Sequence, residues 1–187
     1  MKATIVVGNP KPRSRTRKVA ETLARNLLAA DDHDLEVIDL ADHSAEIFAW
    51  PSERMAELNA RVAGSDLVLF ASPTYKATYT GLLKAFLDRY PANGLAGVVA
   101  IPVFTGADLT HSMGPNVTLA PLLMELGAIV PGRGLYFVAS QMDQLDDIIR
   151  TAADEYAANF SRLFSVATGI RPVGAAPSDR VLDGATS

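Results

Sequence analysis

The amino-acid sequence predicts a doubly wound α/β domain, with five parallel strands in the order 2-1-3-4-5 and helices on both faces. Three observations carry that expectation. Short apolar runs rich in β-branched residues recur five times, and stretches with apolar residues at helical spacing stand between them. The third run, Leu67-Val68-Leu69-Phe70-Ala71, is apolar throughout, as parallel strands covered on both faces are. Strand and helix alternating along one chain is the pattern of a parallel sheet.

Each element has its own signal. Ala3-Thr4-Ile5-Val6-Val7 is the first strand, and Pro10 and Pro12 stop it from continuing. Ser14 or Thr16 caps the helix that follows, whose residues Val19, Ala20, Leu23, Ala24, Leu27 and Leu28 share one face. Asp34 to Leu40 alternates and reads as a second strand nearer a sheet edge. Residues 41 to 51 have no clear period and hold the sole tryptophan, Trp50, which either plugs the core or belongs to a site or subunit contact. Ser52 caps a helix reaching about Ala63, and the third strand follows, ending at Ser72-Pro73, where the proline interrupts the ladder.

Thr80 and Gly81 open a helix bearing Leu82, Leu83, Phe86, Leu87 and Tyr90 on one face. Asn93-Gly94 is a turn, and Val98 to Phe104 is the fourth strand, leading into Thr105-Gly106-Ala107-Asp108. A helix through Leu119, Leu122, Leu123 and Leu126 ends at Gly127, with Pro121 early in it or kinking it. Leu135 to Ala139 is the fifth strand. Asp143 is expected to cap the last helix, whose buried stripe runs from Leu145 to Leu163. Residues 1–168 form one domain, and 169–187 are a tail without periodicity, loose or laid across a neighbouring subunit.

Composition excludes several classes. With 187 residues, 49% hydrophobic and 20% charged, the chain can bury a full core without staples. It has no cysteine, so thiolate nucleophiles, disulfides and iron–sulfur clusters are ruled out; redox chemistry would need a bound organic cofactor. The three histidines, His33, His43 and His111, form no metal-ligating pattern. Strand residues begin at position 3 with no apolar leader ahead of them, which predicts a cytoplasmic protein. No apolar run reaches the roughly 20 residues of a membrane helix, and a formal net charge of -4 argues against nucleic acid as a partner.

Within that acidic chain, five of the 17 Lys and Arg residues fall between Lys11 and Lys18. Cations at a helix N-terminus oppose its dipole unless an anion sits among them, so Gly8 to Lys18 reads as an anion site; a solvated basic turn is the alternative. The glycine spacings that wrap a pyrophosphate or a triphosphate are absent after Gly8. Side chains stand in their place: Asn9, Ser14 and Thr16 as neutral groups, Lys11, Arg13 and Arg15 as charged ones. That set suits a single phosphate monoester, such as that of FMN. In the predicted sheet the ligand crevice lies at the carboxyl ends of the strands, where the loops Asn9 to Thr16, Pro73 to Lys76 and Thr105 to Asp108 converge.

Those loops resemble the NADPH-dependent FMN reductase family, which has a flavodoxin-like fold. The resemblance rests on Gly8-Asn9-Pro10-Lys11 with Ser14-Arg15-Thr16, on the block from Ser72-Pro73-Thr74-Tyr75-Lys76 through Thr80-Gly81-Leu82-Leu83 to Asp88, and on Leu119 to Ala128. It is strongest toward the flavin reductases of two-component sulfonate monooxygenases. It implies that Asn9, Lys11, Arg13, Ser14, Arg15 and Thr16 hold the FMN phosphate. Pro73, Thr74, Tyr75 and Lys76 would line the ring and ribityl side, with Thr105 and Gly106 donating near the pyrimidine edge. Two departures stand out: Gly106-Ala107 where the family usually has two glycines, and Asn9 where it often has serine.

The implied activity is reduction of FMN to FMNH2 by NADPH or NADH, feeding a monooxygenase, in a dimer or tetramer joined through the helix at 80–90. Hydride transfer between stacked rings requires orientation rather than an acid or base, so no catalytic side chain is expected. His111 reads as a surface or capping residue. Two alternatives remain from the sequence: a reductase of quinones, azo dyes or metal oxyanions with FMN permanently bound, and a flavodoxin-like electron carrier, which a net charge of only -4 fits less well.

Overall fold

A computed structural model describes residues 1–28 and 34–170. His33 and all but the first two residues of the tail expected over 169–187 lie outside the described residues. The chain runs β1 (Lys2–Val7), α1 (Arg15–Leu27), β2 (Asp34–Asp39), α2 (Glu53–Ala63), β3 (Leu67–Pro73), α3 (Gly81–Leu87), β4 (Val99–Gly106), α4 (Ala120–Glu125), β5 (Leu135–Val138) and α5 (Leu145–Gly169). The five strands form one sheet in the order β2-β1-β3-β4-β5, and every neighbouring pair is parallel. The expected flavodoxin-like topology is the one observed.

The period of two along each strand builds two cores. Odd-numbered residues of the central strands, including Ile5, Val7, Leu69, Ala71, Ile101 and Val103, pack with Val19, Leu23, Ile149 and Ala153 of α1 and α5. Even-numbered ones, including Val6, Val68, Phe70, Ala100 and Phe104, pack with Met55, Leu58, Leu83, Phe86 and Leu123 of α2, α3 and α4. Both faces of the sheet are therefore closed, and the open surface of the strands is left at their ends. Among the described residues, no helix is long and apolar enough to cross a membrane.

Caps fix where the helices begin. The hydroxyls of Ser14, Ser52 and Thr80 accept from the N–H groups of Arg17, Met55 and Leu83 at the starts of α1, α2 and α3. Gly8 lets β1 meet α3: a Cβ there would sit 2.5 Å from the Leu83 Cβ. The Gly8 N–H donates to the Ala71 carbonyl at 2.7 Å, and the Gly8 carbonyl accepts from the Thr80 hydroxyl at 2.5 Å.

Several expectations need correction. β3 ends at Pro73 as expected, but the proline does not interrupt the ladder: it pairs with Thr105, because a proline at the end of a ladder removes only its own N–H. Pairing continues beyond it, with the Thr74 N–H donating to the Thr105 carbonyl at 2.8 Å. α3 ends at Leu87, and the next residues tighten into i→i+3 turns that tuck Tyr90 against Phe86, edge to face at 6.0 Å. Asp143 does not cap α5, which starts two residues later at Leu145 behind Gln144, an N-cap residue that makes no side-chain bond. Pro121 sits in the first turn of α4, and the chain enters that helix through a π-type turn, Pro115–Leu119. Trp50 is no core plug; it is 72% exposed, with the Arg89 guanidinium 4.4 Å from its ring centre.

Candidate active site

The loops that leave β1, β3 and β4 meet as the topology requires, around a cleft of about 640 Å³. From the first loop come Asn9, Lys11, Arg13, Ser14, Arg15 and Thr16; from the second Pro73, Thr74 and Tyr75; from the third Thr105 and Gly106. Lys76 is the exception among the candidates. It is exposed and outside the lining, in the left-handed conformation at φ 51, next to Ala77 at φ 71. His111 is also exposed and outside the cleft.

Ala107 lines the cleft within the expected third loop, and two further lining residues, Ala139 and Ser140, were not expected. Ala139 and Ser140 follow β5, whose carboxyl end was legible; applying the crevice rule to that strand as well would have found them.

The first loop is braced from within. The Asn9 side-chain amide donates to the Thr16 hydroxyl at 3.0 Å, its carbonyl accepts from the Lys11 N–H at 2.9 Å, and the Thr16 and Thr105 hydroxyls lie 2.7 Å apart. Asn9 and Thr16 thus tie β1, α1 and β4 together while lining the cleft. The cations at the rim are free to turn inward: Lys11, Arg13 and Arg15 are exposed, with Arg15 reaching the Ala139 carbonyl at 3.4 Å. Arg17 is occupied elsewhere. Its hydrogen bond to Glu21 at 2.7 Å, aided by the Glu21 and Asp39 charges, raises its pKa against the opposing effect of burial.

The second loop is the opposite. Thr74 Oγ1 is buried with no hydrogen-bond partner, at the wall of the cleft. At the third loop, the Thr110 hydroxyl and N–H hold the fully exposed Asp108 carboxyl below its ordinary pKa. Gly106 owes its identity to packing: a Cβ there would fall 1.8 Å from the Tyr136 hydroxyl, which donates to the Asp108 carbonyl at 2.8 Å. Burial pushes the phenols of Tyr90 and Tyr156 up, and neither lines the cleft.

The donor set fits FMN in kind. The N-terminal turn of α1 has no acidic residue, presents backbone N–H groups behind Ser14, and is flanked by three cations, which suits a phosphate. The unpaired Thr74 hydroxyl offers a further donor to the same cleft from the loop after β3.

Sheet order and a cleft at the switch point between β1 and β3 define a flavodoxin-like domain. Residues 1–143 match the sequence pattern of NADPH-dependent FMN reductase, and the chain belongs to that family. The FMN reductase (NADPH) of Pseudomonas aeruginosa is 30% identical over 172 residues, covering 85% of this chain and 92% of that protein. That of Pseudomonas putida is 28% identical over 179 residues, covering 91% and 89%. The apo crystal structure of the NADH:FMN oxidoreductase EMOB superposes with a TM-score of 0.74 at 29% identity, over 86% of this chain and 89% of that one. The family read from the loop motifs is therefore correct, and with it the assignment to the flavin oxidoreductases.

Proposed function

We propose that this protein reduces FMN with NADPH or NADH and releases FMNH2 to a flavin-dependent monooxygenase. The overall balance is NAD(P)H + H⁺ + FMN → NAD(P)⁺ + FMNH2. The observation that carries the reading is the cationic N-terminal turn of α1 opening directly into the cleft between the β3 and β4 loops. When bound, the flavin ring supplies the two-electron acceptor for hydride.

The chain's own residues then have divided tasks. Ser14, the first N–H groups of α1, Lys11, Arg13 and Arg15 hold the phosphate, and Asn9 and Thr16 keep that loop in shape. Pro73, Thr74 and Tyr75 form the wall along the ribityl chain and ring, with Lys76 beside its mouth and Thr105 and Gly106 at the far edge. No side chain is assigned to move a proton, which comes from solvent. Exposed groups at the mouth, with Tyr75 at 52%, favour exchange of flavin over permanent retention. The half-buried Leu82 and Ala85 beside the core support self-association through residues 80–90.

Steady-state oxidation of NADPH and NADH at varied FMN tests the reading. A colourless protein whose rate saturates with added FMN is the expected result. A yellow protein that reduces quinones or azo dyes without added FMN would make the flavin a fixed group, and no oxidation of either nicotinamide would sink both forms of the proposal. Sedimentation velocity, with Leu82→Glu as the variant, reads the proposed self-association.

A further inference from the structure

We propose that Asp39 is a positioning residue for flavin phosphate: from the end of β2 it sets the conformation of the basic loop and leaves three of its cations to the cleft. This rests on the FMN reading above. Asp39 is the last residue of β2 and is 3% exposed, where it caps the short turn Leu40–His43 with one carboxylate oxygen and has the other left for the basic loop. One oxygen, Oδ2, accepts the Arg13 N–H at 3.1 Å and lies 3.7 Å from Arg17 Nη1; the other accepts the Ala41 N–H at 3.4 Å.

Arg13 is the residue this arrangement controls. Its φ is 50, the left-handed region that glycine enters freely and other residues rarely do. Glycine would ease the turn but carry no charge. The Asp39 carboxylate instead holds an arginine in that conformation by taking its N–H. The backbone of Arg13 is thus committed to Asp39, while its side chain lines the cleft.

A buried carboxylate beside a phosphate site would repel the ligand if left uncompensated. Arg17, shared with Glu21, and the N–H groups of Arg13 and Ala41 supply the compensation. The Arg17 guanidinium bonds Glu21 through Nε and faces Asp39 through Nη1, and it does not line the cleft. The basic cluster is therefore divided: Arg17 is shared between Glu21 and the acid that shapes the loop, and Lys11, Arg13 and Arg15 remain for the ligand.

Riboflavin, which has the same ring and ribityl chain without the phosphate, isolates this role. For Asp39→Ala the KM for FMN is expected to rise roughly tenfold, as does the FMN dissociation constant measured by fluorescence quenching without nicotinamide. The KM for riboflavin and kcat at saturating flavin stay within about twofold of wild type. Asp39→Asn keeps an oxygen toward the Arg13 N–H and restores most of the FMN preference. Unchanged FMN binding in Asp39→Ala, or an equal loss for both flavins, would overturn the proposal. Should that variant fail to fold, Asp39→Glu displaces the carboxylate by one methylene and must show the same selective loss of FMN. A wild-type protein that does not prefer FMN to riboflavin would instead defeat the phosphate assignment itself.

Discussion

The two walls of the cleft are built on opposite terms. In the loop from Asn9 to Thr16 the buried polar side chains are matched within the protein: Asn9 to Thr16 and Lys11, Thr16 to Thr105, Ser14 to the α1 N-terminus. In the loop from Thr74 to Thr78 a buried hydroxyl has no partner, and two successive residues, Lys76 and Ala77, are left-handed. A reciprocal pair of backbone bonds between Tyr75 and Thr78 closes that turn on itself, leaving Tyr75 exposed. The first wall is organised before any ligand arrives, which lowers the ordering cost of capturing a charged group. The second keeps one hydrogen-bonding need unmet, which a ligand can satisfy. Under the proposed function, charge recognition and ring recognition would fall to loops from different strands of the same sheet.

Removing the charges of the first wall breaks the comparison most strongly. Arg13→Ala together with Arg15→Ala deletes two charged donors, and a loss of about 3 kcal/mol in FMN binding is expected, roughly a hundredfold in dissociation constant. Riboflavin binding should hardly change; equal losses for both flavins would mean that the arginines support the fold rather than the phosphate. The effect should also weaken in high salt, because these side chains are exposed.

Gly8→Ala attacks the seam between the two walls. The added methyl meets the Leu83 Cβ at 2.5 Å, so β1 and α3 must separate where Gly8 bonds both Ala71 and Thr80. A destabilisation of about 2 kcal/mol is expected, read as a lower Tm, with weaker binding of FMN and riboflavin alike. A Tm unchanged from wild type would show that the seam is looser than its geometry states.

The sheet, its order and the family were legible in the sequence because they rest on local signals. Apolar periodicity marks strands and helices, and the block around Ser72 to Asp88 carries the family's pattern. What could not be read is what depends on contacts across the fold. Asn9 and Thr16 line the cleft, but that they also bond each other depends on how α1 crosses the end of β1. Asp39 lies within an alternating stretch, Asp34 to Leu40, and its link to the basic loop exists only once β2 packs beside β1. Lys76 followed its neighbours in sequence, but two left-handed residues take it out of the lining. Trp50 had an aromatic's usual claim to the core, and Arg89 holds it at the surface instead.

The smallest expected effect tests the second wall directly. Thr74→Val keeps the shape of the side chain and deletes the hydroxyl that is buried without a partner. In the ligand-free protein an unmet polar group is removed, so stability should stay the same or rise, against the usual direction of core substitutions. With FMN present the sign reverses. The hydroxyl's hydrogen bond to the ligand is lost, at about 1 kcal/mol or roughly a fivefold weaker binding, and the rise in Tm on adding FMN becomes smaller. Thr74→Ser, which retains the donor, should bind FMN as wild type does. A Thr74→Val protein that is less stable without ligand and binds FMN unchanged would place the hydroxyl's partner inside the protein, and the contrast between the two walls would disappear.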